Sequence, residues 1–310
     1  MTFFPDSAVP PGRLAVGVVL PSLAVQREQK LTLAEAARHA ERAGLDLVAY
    51  RDQPAGAPAL DAAVAVAAVA AATEHVTVVS GGYAPALRPP ARAAEQIASL
   101  QYVADGRLVL GVGTGGGRAR WAAAGVPYEE RGRRTDAALR LLPRLLAGDR
   151  SALPYEPAVP SGELPPAVPM PPVWISGNAH SAVRRAARLG DGWFPALAPP
   201  ADVAAGTVRL AELAAAFGRP APSVAVGTVG ALGAEPDLPG RADLAAGLAA
   251  ARGSAPERFA EVPVTGSVRE AAEHLHSYCG AGVSRVLMSF PGGDWRHQVD
   301  LLADVRELLR

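Results

Sequence analysis

Cysteine is almost absent: Cys279 stands alone in 310 residues. That excludes an intramolecular disulfide framework, and its place beside Tyr278 in a helical pattern marks a buried structural thiol. An excess of either charge is missing too. Thirty basic side chains balance thirty acidic ones, so nothing argues for nucleic acid or an anionic membrane as partner, and a small neutral or modestly charged ligand fits better. The alanine-rich run Ala62 to Ala72, bracketed by Asp61 and by Thr73-Glu74, is too short to span a bilayer. Residues 1–12 contain three prolines and no basic segment ahead of an apolar one, so they do not read as a secretory signal. A cytoplasmic protein in a reducing compartment is expected. The six histidines are scattered, none stands with carboxylates at metal-ligand spacing, and there is no Gly-x-Ser-x-Gly nucleophile elbow. Neither a catalytic metal nor a strong built-in nucleophile is expected.

What the chain does have is apolar residues, 49% of the total, enough to bury the core of one large α/β barrel or of two ordinary domains. Its most distinctive stretch is Gly106 to Gly117, Gly-Arg-Leu-Val-Leu-Gly-Val-Gly-Thr-Gly-Gly-Gly. A short apolar run, read as a buried strand, gives way to five glycines within seven residues. Without Cβ atoms, successive N–H groups can converge on an anion or lie flat beside a ring, and Thr114 adds a hydroxyl. A glycine-rich connection with no ligand is the plainer alternative.

Along the chain a strand-then-helix unit recurs. Strands are expected at 14–20, 46–51, 76–80 (breaking at Gly81-Gly82), 108–110, 173–176, 193–195, 224–229 and 285–290. The helices between them carry start signals: Thr32 with Glu35 and Ser267 with Glu270 form capping boxes, while Asp202 and Asp294 stand as N-caps. An extra helix is expected around 242–251. Eight βα units in series predict a (β/α)₈ TIM barrel, an α/β fold in a single domain over 1–310. Residues 148–172 hold eight prolines and little periodicity, which marks an irregular insertion over the barrel mouth before strand five. Gly111-x-Gly113-x-x-Gly116 matches the dinucleotide fingerprint literally. It follows the fourth unit of a continuous βα series rather than the first, so the barrel is preferred.

In such a barrel, chemistry sits where strands end. Those positions are Pro21 and Ser22; Asp52 and Gln53; Ser80, Gly81 and Gly82; Gly113 to Gly117; Gly177 and Asn178; Pro195; Thr228; and Pro291 to Gly293. Glycine and small polar groups dominate. A site of this kind points to a bound organic cofactor as the source of reactivity.

At these residues the chain resembles the luciferase-like monooxygenase superfamily, which includes bacterial luciferase, alkanesulfonate monooxygenase and deazaflavin-dependent reductases. The resemblance rests on Leu-Arg-Pro-Pro at 87–90, Asp-Gly-Arg-Leu-Val-Leu-Gly-Val-Gly-Thr-Gly at 105–115 and Ala-Gly-Val-Pro-Tyr-Glu-Glu-Arg-Gly at 124–132. Pro-Pro-Val-Trp-Ile-Ser-Gly-Asn at 171–178, Ala-Arg-Leu-Gly-Asp-Gly-Trp at 187–193 and the segment from Ala281 to Gly293 complete it. It implies a cofactor cradle of Ser80, Gly81 and Gly82, with a non-prolyl cis peptide in a bulge at the two glycines, and of Gly113, Thr114 and Gly115. It implies a phosphate held by Gly177, Asn178 and Ala179 at a helix start, where His180 and Ser181 can assist. Many relatives have Asp-His after strand two, the histidine often serving as acid or base; this chain has Asp52-Gln53, and glutamine cannot titrate. Asp52 can orient substrate or ring, or simply cap a turn.

The activity so implied is a two-component monooxygenase using reduced FMN from a flavin reductase, and O₂, on a small organic substrate. The same site can instead hold the deazaflavin F-420 for hydride transfer, with Arg118, Arg120, Arg131, Arg133 and Arg134 meeting its anionic tail. A flavin-binding member that has lost catalysis is the third reading. Relatives of this type are commonly dimers, so a homodimer is expected.

Overall fold

The computed structural model describes residues 13–52, 59–115, 117–149 and 167–310. Nine strands, all paired in parallel, form the sheet: β1 (Ala15–Val19), β2 (Leu47–Arg51), β3 (Thr77–Tyr83), β4 (Leu108–Val112), β5 (Val173–Ser176), β6 (Gly192–Phe194), β7 (Ser223–Leu232), β8 (Val264–Gly266) and β9 (Arg285–Ser289). The order β6-β5-β4-β3-β2-β1-β9-β7 closes through a β6–β7 pairing. The result is the expected (β/α)₈ barrel. β8 lies outside the ring, continuing the sheet from the far end of β7 at Gly230 to Leu232.

Strand alternation sorts the side chains into two cores. Leu47, Ala49, Val79, Val109, Trp174, Phe194, Ala225 and Leu287 fill the barrel interior. Their neighbours, among them Val16, Val48, Val78, Leu108, Leu110 and Val286, pack outward against the helices. Trp174 is the largest interior filler, and glycine makes room for it: a Cβ on Gly192 would stand 2.5 Å from its indole.

The α-helices among the described residues are α1 (Leu23–Glu28), α2 (Leu33–Arg42), α3 (Ala62–Ala72), α4 (Pro90–Val103), α5 (Arg118–Ala123), α6 (Arg131–Leu146), α7 (His180–Leu189), α8 (Pro200–Ala216), α9 (Arg241–Arg252), α10 (Val268–Gly280) and α11 (Trp295–Leu308). Both capping boxes form, and Asp294 accepts the His297 N–H at 2.8 Å. Asp202 does not cap α8. That helix begins earlier, at Pro199-Pro200, because proline's fixed φ suits the first helical position and needs no N–H there. The expected break of strand three at Gly81-Gly82 is absent as well. β3 runs on to Tyr83 through a bulge, pairing Ser80 with Leu110 and then Tyr83 with Val112, so one extra residue is accommodated on β3. Residues 150–166 of the proline-rich insertion and Gln53 lie outside the described residues. Among the described residues, no helix is long and apolar enough to cross a membrane.

Candidate active site

The carboxyl ends of β2, β3 and β4 bring two glycine segments side by side. Gly113 donates its N–H to the Tyr83 carbonyl at 3.0 Å, and Asp52 donates its own to Gly81 at 2.7 Å. The two backbones therefore meet with no side chain between them. A Cβ on Gly111 would stand 2.5 Å from the Ser80 carbonyl, and one on Gly113 3.5 Å from the Gly82 Cα. Above this floor the space is open: Cβ atoms on Gly82 and Gly115 would meet no atom of the described residues within 4 Å. Gly82 takes φ +87°, which favours glycine. No cis peptide occurs among the described residues. The bulge expected at Gly81-Gly82 is made with trans bonds, the positive φ doing the turning without the ~3 kcal/mol that a non-prolyl cis bond costs.

Thr114 is half-buried and Gly115 exposed. Their loop leads into α5, whose fully buried Trp121 donates from its indole to the Gly115 carbonyl at 3.3 Å. The Ser80 side chain faces away from the floor. Alternation sets it opposite Val79, toward the helices, where the hydroxyl is buried without a hydrogen-bond partner among the described residues. Ser80 therefore contributes its backbone, and not its hydroxyl, to the floor.

Asp52 pairs with Arg120 of α5, Oδ2 lying 2.7 Å from Nη2, with both side chains largely buried. The approach is an ion pair rather than an aligned hydrogen bond, since Oδ2 has no directed donor. This contact joins the end of β2 to the helix after the glycine loop and so holds the two sides of the mouth together. Tyr83 sits below, its hydroxyl on Gln96 Oε1 at 2.9 Å and its ring under the Arg88 guanidinium at 4.3 Å. Burial pushes its phenol up to about 12, so it stays protonated at neutral pH.

Sequence reasoning missed Arg51. It follows Leu47 and Ala49 on the inward face, in register with Gly81, and its Cγ would lie 3.7 Å from a Cβ there. Its guanidinium is exposed at the mouth with no hydrogen bond or ion pair among the described residues. Desolvation by the strand ends and the nearby Arg252 of α9 both push its proton affinity down. An inward cation in this position suits an anionic group. The inward parity at a strand end was the signal available for it.

On the opposite wall, Gly177 turns the chain into α7 at φ +127°, and its carbonyl accepts the Trp193 indole N–H at 2.9 Å. The Asn178 side chain is engaged within the protein. Its amide is consumed by Ala196, accepting from the N–H and donating to the carbonyl at 3.0 Å each. Ala179 begins the helix without a side-chain cap, which leaves first-turn N–H groups open to an anion. The arginines expected to meet an anionic tail are engaged locally instead. Arg118 pairs with Glu129 at 2.5 Å and Arg120 with Asp52, while Arg131 donates to the Tyr128 carbonyl and Arg133 and Arg134 share Glu130. Glu129 and Glu130 are close in sequence to the arginines they engage and so cost little chain ordering, whereas Asp52 reaches Arg120 from the end of β2. Among the described residues, no group of three or more His, Cys, Asp or Glu side chains is placed to hold a metal.

Curated relatives match about half of their own length to this chain. An F420-dependent glucose-6-phosphate dehydrogenase of Beutenbergia cavernae is 35% identical over 167 residues, 50% of this chain and 49% of that protein. An uncharacterized protein of Mycobacterium tuberculosis is 31% identical over 169 residues, 54% of this chain and 58% of that one. Solved structures match along nearly the whole chain at low identity, which speaks to the fold. An F420-dependent secondary alcohol dehydrogenase in complex with an F420-acetone adduct superposes with TM-score 0.78 at 18% identity, covering 96% of this chain and 99% of its own. The EDTA monooxygenase of Chelativorans sp. BNC1 superposes with TM-score 0.72 at 16% identity, covering 96% and 93%. The family model for luciferase-like monooxygenases matches residues 15–237, and the chain belongs to that family of oxidoreductases.

Proposed function

We propose that the chain is an oxidoreductase working through a flavin-type cofactor laid on the glycine floor of the mouth, and that this cofactor is the deazaflavin F-420. The observation that carries the reading is the open space over Gly82 and Gly115 above a floor made only of backbone. A planar ring system fits such a surface, and a side chain at either position would intrude on it. When bound, the cofactor supplies hydride transfer, chemistry that no side chain of this site offers. The protein's own part is placement. Gly81, Gly82, Gly113, Thr114 and Gly115 line the ring, the first turn of α7 from Ala179 takes the phosphate, and Arg120 fixes Asp52 at the edge of the site. Arg51 faces the substrate side and favours a small organic substrate with an anionic group.

Support for F-420 comes from sequence: the relatives named as F420-dependent dehydrogenases are 35% and 32% identical to this chain over their matched halves. A second copy of the chain is the partner we propose, docked on the outer face of α3. That face is apolar, with Val64 67% exposed and Ala68 and Ala71 following it at helical spacing. No nucleic-acid or membrane partner is proposed, and the cytoplasm is the proposed location.

The test is a titration of purified protein with F-420, with FMN, and with reduced FMN under anaerobic conditions, followed by fluorescence quenching. Micromolar F-420 binding with indifference to FMN supports the proposal. Tight reduced-FMN binding, with faster O₂ consumption in the presence of a flavin reductase, moves the assignment to the two-component monooxygenase. Binding of a cofactor without turnover on any carbonyl or alcohol tested favours the non-catalytic reading.

A further inference from the structure

The cations that the sequence motifs placed near a cofactor tail are spoken for, yet Arg140 and Arg184, in a second group of arginines, make no ion pair among the described residues. Between the outer faces of α6 and α7 runs a cleft of about 470 Å³, lined by Arg133 and Arg140 from α6 and by Arg184, Arg185 and Arg188 from α7. Asp136 is the one carboxylate lining it. Both Arg185 and Arg188 converge on that carboxylate, at 2.5 Å to its two oxygens. One bidentate arginine would satisfy it, so the second leaves a surplus of charge. The Arg188 Nε is buried with no hydrogen-bond partner among the described residues. Arg140 and Arg184 are exposed, and neither makes an ion pair among the described residues; Arg184 only leans over the Phe217 ring at 5.6 Å. The chain as a whole carries no net charge. The concentration here is therefore a local feature and not a by-product of a basic protein.

Two further features fix what the cleft suits. Ser181 belongs both to its lining and to the uncapped first turn of α7, so the cleft begins where an anion already finds free N–H groups. From Ser181 to Arg188 it follows α7 for roughly 10 Å. That length accommodates roughly two to three charged units of an extended chain, more than a single phosphate fills.

We propose that this cleft is an oligocarboxylate subsite, which holds the anionic tail of the cofactor beyond the phosphate and so selects a tailed deazaflavin over FMN. The proposal rests on the cofactor reading given above. FMN ends at its phosphate and has nothing to offer Arg140 or Arg184. A chain of carboxylates leaving the α7 N-terminus supplies the missing countercharge along the cleft, bidentate pairing with guanidinium groups being its natural contact.

The test compares four ligands by fluorescence titration: the deazaflavin with its sugar-alcohol chain alone, its phosphate ester, and forms carrying two and six glutamates. Wild-type protein is set against an R140E/R184E variant. Both substituted side chains are exposed and unpaired, so an unchanged melting temperature is expected. Wild-type affinity should rise about three- to tenfold from phosphate ester to tailed forms. The rise should vanish in the variant and in about 0.5 M salt, while the phosphate ester binds both proteins alike. Affinity independent of tail length, or an equal loss for every ligand in the variant, overturns the subsite. If no deazaflavin binds, the cofactor reading has failed, and the cleft is then probed by calorimetry with a hexaglutamate peptide. Binding to wild type that R140E/R184E abolishes supports the oligocarboxylate subsite on its own terms, and no binding overturns it.

Discussion

The two ends of the barrel handle polar groups in opposite ways. At the amino end of the strands, arginines and carboxylates gather the backbone groups around them, although the buried Gln101 Oε1 has no hydrogen-bond partner among the described residues. Arg107 gathers the carbonyls of Ala70, Thr73 and Val76 and the Thr73 hydroxyl within 3.0 Å, closing the carboxyl end of α3. Arg219 does the same for Ala187 and Gly190 beneath α7. Asp46 accepts the Val16 N–H and a two-pronged contact from Arg306, and Asp191 takes the Val173 N–H at 2.9 Å. At the carboxyl end the pattern reverses: glycine floor, an uncapped α7 and, among the described residues, an Arg51 without a partner and an Asp52–Arg120 pair with no aligned hydrogen bond. Buried polar groups left unmade are costly. The end that tolerates them is the end that expects a ligand, and stability is concentrated at the other.

Substitutions can break that division or sharpen it. The largest effect is expected at the closed end: Arg107→Met strands four acceptors and lowers unfolding stability by about 3 kcal/mol or more, read from the urea midpoint. A loss under about 1 kcal/mol would mean the network is ornamental. At the open end, Gly111→Ala drives a Cβ into the Ser80 carbonyl, which is backbone on both sides and cannot give. A cost of about 2 kcal/mol and a loss of cofactor affinity are expected together. Gly115→Ala, in open space, should leave the melting temperature in place and weaken cofactor binding alone. Smaller again, Arg120→Gln should cost about tenfold in cofactor affinity, about 1.4 kcal/mol, with less change in stability than Arg107→Met. Adding Asp52→Asn should recover part of that affinity, because the carboxylate no longer stands unpaired.

What was legible in the sequence follows the reach of each interaction. Local rules wrote the scaffold: capping boxes at Thr32 and Ser267, the Asp294 cap and strand periodicity are all decided within a few residues. The glycine floor was legible for the same reason, since glycines at strand ends announce close backbone approach. The rest depends on tertiary partners. Asp52 meets Arg120 only because β2 and α5 flank one mouth, and Asn178 turned to Ala196 because β6 lies beside β5. The arginine cleft needs α6 packed on α7, joining Asp136 to residues 185 and 188 across some fifty positions. No window of sequence shows that. Short elements escaped as well: α5 spans six residues, too few for periodicity to declare a helix. Pairing, rather than the glycine rule, carried β3 through Gly81-Gly82.

The finest test of the comparison is acid. Glu41, at the closed end, is half-buried and accepts N–H groups from Glu74, His75 and Val76 at 2.7 to 2.9 Å. Burial pushes its carboxyl up, but the three backbone donors outweigh that and hold it below the usual carboxylate range. Its folded pKa is thus lower than its unfolded one. The stability it contributes is complete above the ordinary glutamate range and disappears as pH falls through the depressed folded value. Glu41→Gln should therefore cost at most about 1 kcal/mol at neutral pH, given its partial exposure, and progressively less as the solution is acidified. The two proteins' stability curves should converge at low pH, as followed by urea unfolding across a pH series. Curves that stay parallel would mean that the N–H cluster is satisfied by shape alone, and that the closed end owes its stability to packing rather than to its charged acceptors.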